Sequence, residues 1–69
     1  MAQHKIVNEF FLKGKIVITL DSVRSPDEFN TKEVIIDGKR YTYELTHNEL
    51  MFVINTTESL IDKTIAFVN

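Results

Sequence analysis

The sequence predicts an all-β fold, a small antiparallel barrel of five or six strands with one or two short helical turns. The first observation is an Asp37-Gly38 pair between two runs rich in β-branched and aromatic residues. A type I′ turn needs positive φ at both central positions, which Gly and Asp tolerate well, so the pair predicts a hairpin. The second observation is alternation, because Tyr41, Tyr43 and Leu45 fall on one face of the following strand, as in a half-buried strand.

The other strands are predicted from apolar runs between turn signals. Residues 5–12 and 15–22 form a first hairpin, since the Lys-Gly pair between them fits a type II turn with Gly at its third position or a bulge at that Gly. An unbroken apolar run at 49–54 indicates a strand covered on both faces, and residues 63–68 form the last strand. So many strands in a short chain must close or nearly close, because open apolar edges invite aggregation.

The most polar stretch, residues 21–32, contains the sole proline. Ser25, Pro26 and Glu28 have the form of a helix start, with an N-cap, a proline at the first helical position and a carboxylate that completes a capping box. We expect one helical turn here, or a loop of similar shape, that tucks Phe29 under the sheet. A second turn is predicted at residues 60–62.

Length and composition limit the class of protein. Sixty-nine residues form a single domain, 1–69, in which residues 1–4 are expected to fray. A domain of this size buries only about 60% of its unfolded surface, so homodimerisation is one way to gain buried area. The absence of cysteine, together with an N-terminus that lacks a signal or spanning segment, favours a cytoplasmic protein without membrane contact.

The sequence has few combinations of residues that are typical of an enzyme active site. The two histidines are His4, near the N-terminus, and His47, in a predicted turn, and His47 with Glu49 is too little for a metal site. The adjacent carboxylates of Asp27 and Glu28 are better explained as stabilising a helical turn than as an acid–base pair. We therefore expect a non-catalytic protein, without metal, cofactor or evident small-molecule substrate.

Three segments, taken in order, resemble the second, β-barrel domain of translational GTPases such as elongation factor Tu. Residues 10–20 are similar to the opening strand, basic Gly-containing turn and β-branched strand of that domain. Residues 32–38 are similar to its strand that ends at a glycine turn, and residues 61–68 to its closing strand. No Gly-rich phosphate loop is present. The resemblance implies a stand-alone accessory barrel that docks on a partner.

The predicted binding surface is apolar. Phe10 and Phe11 are adjacent and must point to opposite faces of their strand, and the same holds for Met51 and Phe52. An outward Phe11 near an outward Met51 would form an exposed apolar patch, which in a monomer marks a binding site. Phe11 and Met51 are therefore the predicted contacts with a protein partner or a second copy.

The alternative prediction is an RNA-binding accessory factor. If the two hairpin turns lie at the same end of the barrel, Lys13, Lys15, Lys39 and Arg40 form a positive patch, with Tyr41 near enough to stack on a base. A net charge of −2 lacks the basic excess typical of nucleic-acid-binding domains. Lysines on turns also block edge pairing, so the patch has an ordinary structural explanation.

Overall fold

The computed structural model describes residues 3–68, which form a closed antiparallel barrel. Its strands are β1 (Gln3–Leu12), β2 (Lys15–Leu20), β3 (Glu33–Ile36), β4 (Lys39–Leu45), β5 (Met51–Ile54) and β6 (Thr64–Val68), and a 3₁₀ turn spans Pro26–Glu28. Around the barrel the strands follow the order β1-β2-β5-β4-β3-β6, with β6 returning to β1. The predicted all-β barrel is confirmed.

The two tight hairpins use the predicted turn residues. Asp37 and Gly38 have φ of 55° and 80°, the paired positive values that a type I′ turn requires. In the first hairpin the positive φ of 76° falls on Gly14, the position at which a type II turn places glycine. Because consecutive strands run antiparallel, both turns and the β5–β6 connection lie at one end of the barrel, the hairpin end. The 21–32 and 46–50 connections cover the other end, the loop end.

The barrel interior is filled by alternate residues of every strand except β4, which contributes two partly buried tyrosines. Leu60, from the connection between β5 and β6, is also fully buried and closes the interior from the hairpin end. The buried core comprises Ile6, Ile16, Ile18, Leu20, Val34, Ile36, Phe52, Ile54, Leu60, Ile65 and Phe67. Tyr41 and Tyr43 pack against it from the predicted face of β4.

A β-bulge near the middle of β1 reverses the alternation of its side chains. Ile6 lies opposite Leu20, yet Asn8 lies opposite Thr19, so an extra residue, Val7, is inserted between the two pairs. One inserted residue moves all following side chains to the other face. As a result Ile6 faces the core, while further along the strand the residue opposite the core residue Ile18 is Glu9.

The structure corrects three expectations for the loops and the N-terminus. Phe29 is not tucked under the sheet but 57% exposed, because the 3₁₀ turn instead directs Glu28 inward, where it is 1% exposed. Residues 60–62 form a turn without helical structure. Gln3 and His4 are not frayed, since both lie in β1 and His4 is buried; Met1 and Ala2 lie outside the described residues.

Glu9 anchors the β5–β6 connection to the barrel. Its carboxylate accepts hydrogen bonds from the Ser59 hydroxyl at 2.7 Å and from the backbone amides of Leu60 and Ile61 at 2.6 and 2.8 Å. The Ser59 bond, together with the two amides, lowers the pKa of Glu9 below its usual value despite some desolvation. The connection that inserts Leu60 into the core is therefore held by one ionised side chain.

We expect Glu9→Gln to loosen this connection. A glutamine amide offers one uncharged acceptor oxygen in place of the two of a carboxylate, so the Leu60 and Ile61 amides should exchange with solvent at least several-fold faster. Hydrogen exchange read by NMR measures this directly. Glu44→Gln is the matched control, because Glu44 is an exposed carboxylate on another strand. Unchanged exchange at both amides would show that the anchor lies elsewhere.

Candidate functional site

The distal half of β1 forms an open sheet edge. Within the described residues β1 pairs with β2 as far as Leu12, but it pairs with β6 only at Gln3–Lys5. Hydrogen bonds between Ile6 and residues 62 and 63 extend this contact by one residue. From Val7 to Leu12 the side of β1 that faces away from β2 therefore has no strand neighbour. We call this segment the open edge.

An apolar surface lies on the outer face of the sheet beside the open edge. The register aligns Phe10 with Val17 and Val17 with Val53, so these three side chains share a face. Val17 is 4% exposed although it faces away from the core, because its neighbours cover it. Phe10 and Leu12 remain 48% and 50% exposed. The outer patch comprises Phe10, Leu12, Val17, Met51 and Val53.

The two residues predicted to bind a partner lie on different faces. Met51 is opposite Thr19 on the outer face, as predicted. Phe11 is opposite Ile16, a core residue, so it lies on the inner face of the sheet; it is still 55% exposed because it sits near the hairpin tip. Phe10, not Phe11, shares a face with Met51. The bulge at Val7 is the reason that Phe10, and not Phe11, faces outward.

The structure places both basic turns at the hairpin end but sets acidic side chains beside them. Ion pairs form between Lys15 and Glu44 at 2.5 Å, Arg40 and Glu33 at 3.0 Å, and Lys39 and Glu58 at 3.6 Å. All these groups are well exposed, so the pairs add little stability, yet they cancel much of the local positive charge.

Tyr41 and Lys13 complete the set of residues predicted to bind RNA. Tyr41 lies opposite the core residue Val34 and packs on the interior while half-buried. That position leaves less of its ring free to stack on a base than an outward tyrosine would have. Lys13 occupies the tip of the first hairpin and is exposed. The geometry therefore brings the basic turns to one end without forming an uncompensated positive surface.

A buried polar cluster holds the loop end. The His4 ring binds the Ser22 hydroxyl through Nδ1 and the Glu28 carboxylate through Nε2, both at 2.9 Å. Glu28 Oε1 also accepts hydrogen bonds from the amide and the hydroxyl of Ser25, each at 3.0 Å, which confirms the predicted reach of Glu28 to its N-cap. Burial would raise the pKa of Glu28, but the bonds from His4 and Ser25 outweigh it and hold that pKa below its usual value.

Arg24 covers the same end of the barrel. Its guanidinium lies over the rings of Phe29, Phe52 and Phe67, with 5.1 to 5.7 Å to the ring centroids. Cation–π contacts of this kind hold an arginine in place without neutralising it. Arg24 is not predictable as a site residue from the sequence, since a lone arginine in a polar stretch carries no pattern that would reveal its aromatic neighbours.

Other kinds of site have little support in the described residues. Within residues 3–68 no cluster of three or more histidine and acidic side chains is placed to hold a metal ion, and His47 is exposed in its turn. No helix in that part of the chain is long and apolar enough to cross a membrane.

Comparison with known proteins identifies no relative of this chain. No protein-family model, curated protein or solved structure matches the chain. The resemblance to the second domain of translational GTPases remains a prediction from the sequence.

Proposed function

We propose that this protein is a non-catalytic interaction module that binds an extended segment of a partner protein along the open edge of β1. The observation that carries the proposal is the combination of an unpaired strand edge with half-exposed Phe10, Phe11 and Leu12 on both of its faces. An added strand gains backbone hydrogen bonds from such an edge and specificity from pockets for its alternate side chains.

Part of the open edge carries the protection that natural edges usually have. Lysine, proline or an inward charge commonly prevents edge pairing. Between Val7 and Leu12 the one charged side chain is Glu9, and its carboxylate is bound to the β5–β6 connection. Glu9 lies on the inner face and guards the middle of the edge, whereas Phe10, Phe11 and Leu12 carry no charge and favour a segment that pairs there. Self-association is the case in which that segment is β1 of a second copy.

The outer patch extends the surface that a partner segment would cover. Phe10 and Leu12 stand next to the edge, and Val17, Val53 and Met51 continue the apolar face across β2 and β5. A bound strand can place alternate side chains on Phe10 and Leu12, while Phe11 contacts it from the inner face. Aromatic anchors of this type contribute most of the binding energy in protein interfaces.

We expect the double variant Phe10→Lys/Leu12→Lys to lose partner binding by at least about tenfold, which is about 1.4 kcal/mol. Both side chains are half-exposed, so the thermal unfolding midpoint should change little. Affinity capture of the tagged chain, in high salt and after nuclease treatment, identifies the retained protein. The purified pair is then titrated, and light scattering of the chain alone tests for a dimer.

Leu45→Lys is the matched control, because Leu45 is 64% exposed but lies at the loop end. It should bind as well as the unaltered chain. Strand addition further predicts slowed amide exchange from Val7 to Leu12 in the complex. Equal loss of binding in the Leu45 variant, or binding without protection of these amides, would contradict docking at the open edge.

Salt separates the alternative RNA-binding role from the proposed one. Phosphate contacts through Lys13, Lys15, Lys39 and Arg40 would weaken steeply as salt rises, whereas an apolar interface would not. A ligand that is lost both after nuclease treatment and in high salt would favour the basic turns over the open edge.

A further inference from the structure

A cleft opens at the loop end, on the opposite end of the barrel from the hairpin tips. It has a volume of about 260 Å³ and is lined by Val23, Arg24 and Phe29 from the 21–32 connection and by Glu49 from the 46–50 connection. Ligand sites combine apolar walls with a few polar groups that fix orientation. Here Val23 and Phe29 supply the walls, and the two charged residues supply the polar groups.

The cation of this cleft is held in place. The guanidinium of Arg24 lies 5.1 Å from the centroid of Phe52 and 5.2 Å from that of Phe29. Its Nη1 also lies 3.5 Å from the hydroxyl of Tyr43, at the limit of a hydrogen bond. A guanidinium stacked on aromatic rings keeps its in-plane donors available for a planar acceptor such as a carboxylate.

Both charges of the cleft lack an ionic partner among the described residues. Within residues 3–68 neither Arg24 nor Glu49 forms a salt bridge, with each other or with another residue. Within the same residues, the one buried side-chain polar atom without a hydrogen-bond partner is Glu28 Oε2, and no Arg24 nitrogen is in that state. The cleft therefore presents a separated positive and negative group to whatever enters it.

We propose that the cleft binds a small zwitterion with an apolar side chain, a ligand of the α-amino acid class. Its carboxylate pairs with Arg24, its ammonium group pairs with Glu49, and its side chain packs against Val23 and Phe29. A simple carboxylate would meet repulsion from Glu49, and a simple amine would meet repulsion from Arg24. The end of a peptide chain offers one of the two charges, so the free zwitterion fits best. This site is independent of the open edge.

The ligand side of the test uses three matched probes at about pH 6, where an α-amino group remains protonated. They are L-phenylalanine, L-phenylalaninamide, which lacks the carboxylate, and N-acetyl-L-phenylalanine, which lacks the ammonium group. Titrations followed by amide NMR should show L-phenylalanine binding at least about tenfold more tightly than either analogue. The shifted amides should be those of Val23, Arg24, Phe29 and Glu49.

The protein side of the test removes one charge at a time. Arg24→Met keeps an apolar side chain over the rings and should erase the difference between L-phenylalanine and its amide. Glu49→Gln should erase the difference between L-phenylalanine and its N-acetyl form. Glu58→Gln, an exposed carboxylate at the hairpin end, is the control and should change neither. If Arg24→Met fails to fold, the Glu49 variant with the three probes still decides the question.

Three results would overturn the proposal. The first is N-acetyl-L-phenylalanine binding as tightly as L-phenylalanine, which would show a plain carboxylate site. The second is equal binding of the amide, which would show that Arg24 takes no part. The third is the absence of shifts at the four lining residues up to millimolar probe. None of these results bears on binding at the open edge.

Discussion

Replacing His4 by Ala should destabilise the protein by about 3 kcal/mol, the upper end of the cost of leaving a buried polar group without its hydrogen-bond partner. The substitution leaves the Glu28 carboxylate, 1% exposed, without its ring partner. The Ser25 amide still donates a hydrogen bond to it, which keeps the cost from being larger. For a domain of this size the loss lowers the unfolding midpoint by more than about 10 °C, measurable by thermal or urea unfolding.

The pH dependence gives this prediction a second readout. The pKa of Glu28 is lowered in the folded state, so its stabilising contribution is present above about 4.5 and is lost as pH falls through the folded pKa. In the His4 variant that contribution is smaller, so stability should fall less between about pH 5 and pH 2. His47→Ala is the control, because His47 is exposed in a turn. A His4 variant as stable as the control would contradict a structural role for the buried pair.

Replacing Phe67 by Ala should cost about 3–5 kcal/mol, the usual price of deleting a buried aromatic ring. The Phe67 ring is 1% exposed and lies 5.3 Å from the centroids of both Phe52 and Tyr43. It also lies under Arg24, so its loss removes support from the loop end as well as core volume. A domain of this length has only a few kcal/mol of stability, so the variant should be largely unfolded at 25 °C.

Circular dichroism with urea titration measures this loss. Phe67→Leu retains much of the buried volume and provides a folded reference if the Ala variant cannot be purified. Phe10→Ala is the surface control and should stay within about 0.5 kcal/mol of the unaltered chain. If the Phe67→Ala protein unfolds at the same urea concentration as Phe10→Ala, the aromatic cluster can close around the space that the Phe67 ring leaves.

The barrel could be predicted because its hairpins are specified locally. The Asp37-Gly38 turn needs positive φ at two neighbouring residues, and few sequences allow it. Alternation on β4 then identifies the face that packs inward, as the positions of Tyr41 and Tyr43 confirm. Each of these signals spans fewer than ten residues, so no knowledge of distant contacts is needed to read them.

The binding surface was harder to predict because it depends on register. Alternation along residues 5–12 gives no sign that Val7 is an inserted residue, and that insertion decides whether Phe10 or Phe11 faces outward. The partner of His4 was equally hidden, since Glu28 lies 24 residues away. The capping-box pattern identified Glu28 as a local acceptor, but tertiary packing determines that it points inward.

The short pairing between β1 and β6 determines how the barrel would respond to force. Gln3 lies opposite Ala66 and Lys5 opposite Thr64, so the first and the last strand of the chain, β1 and β6, meet antiparallel at the loop end. A pull applied between Gln3 and Val68 would load this seam one residue pair at a time, starting from the end nearest the applied force. Strands loaded in this way separate more easily than strands pulled along their length. The barrel would thus open into a curved six-stranded sheet before any hairpin broke, with the His4–Glu28 bond resisting the first step.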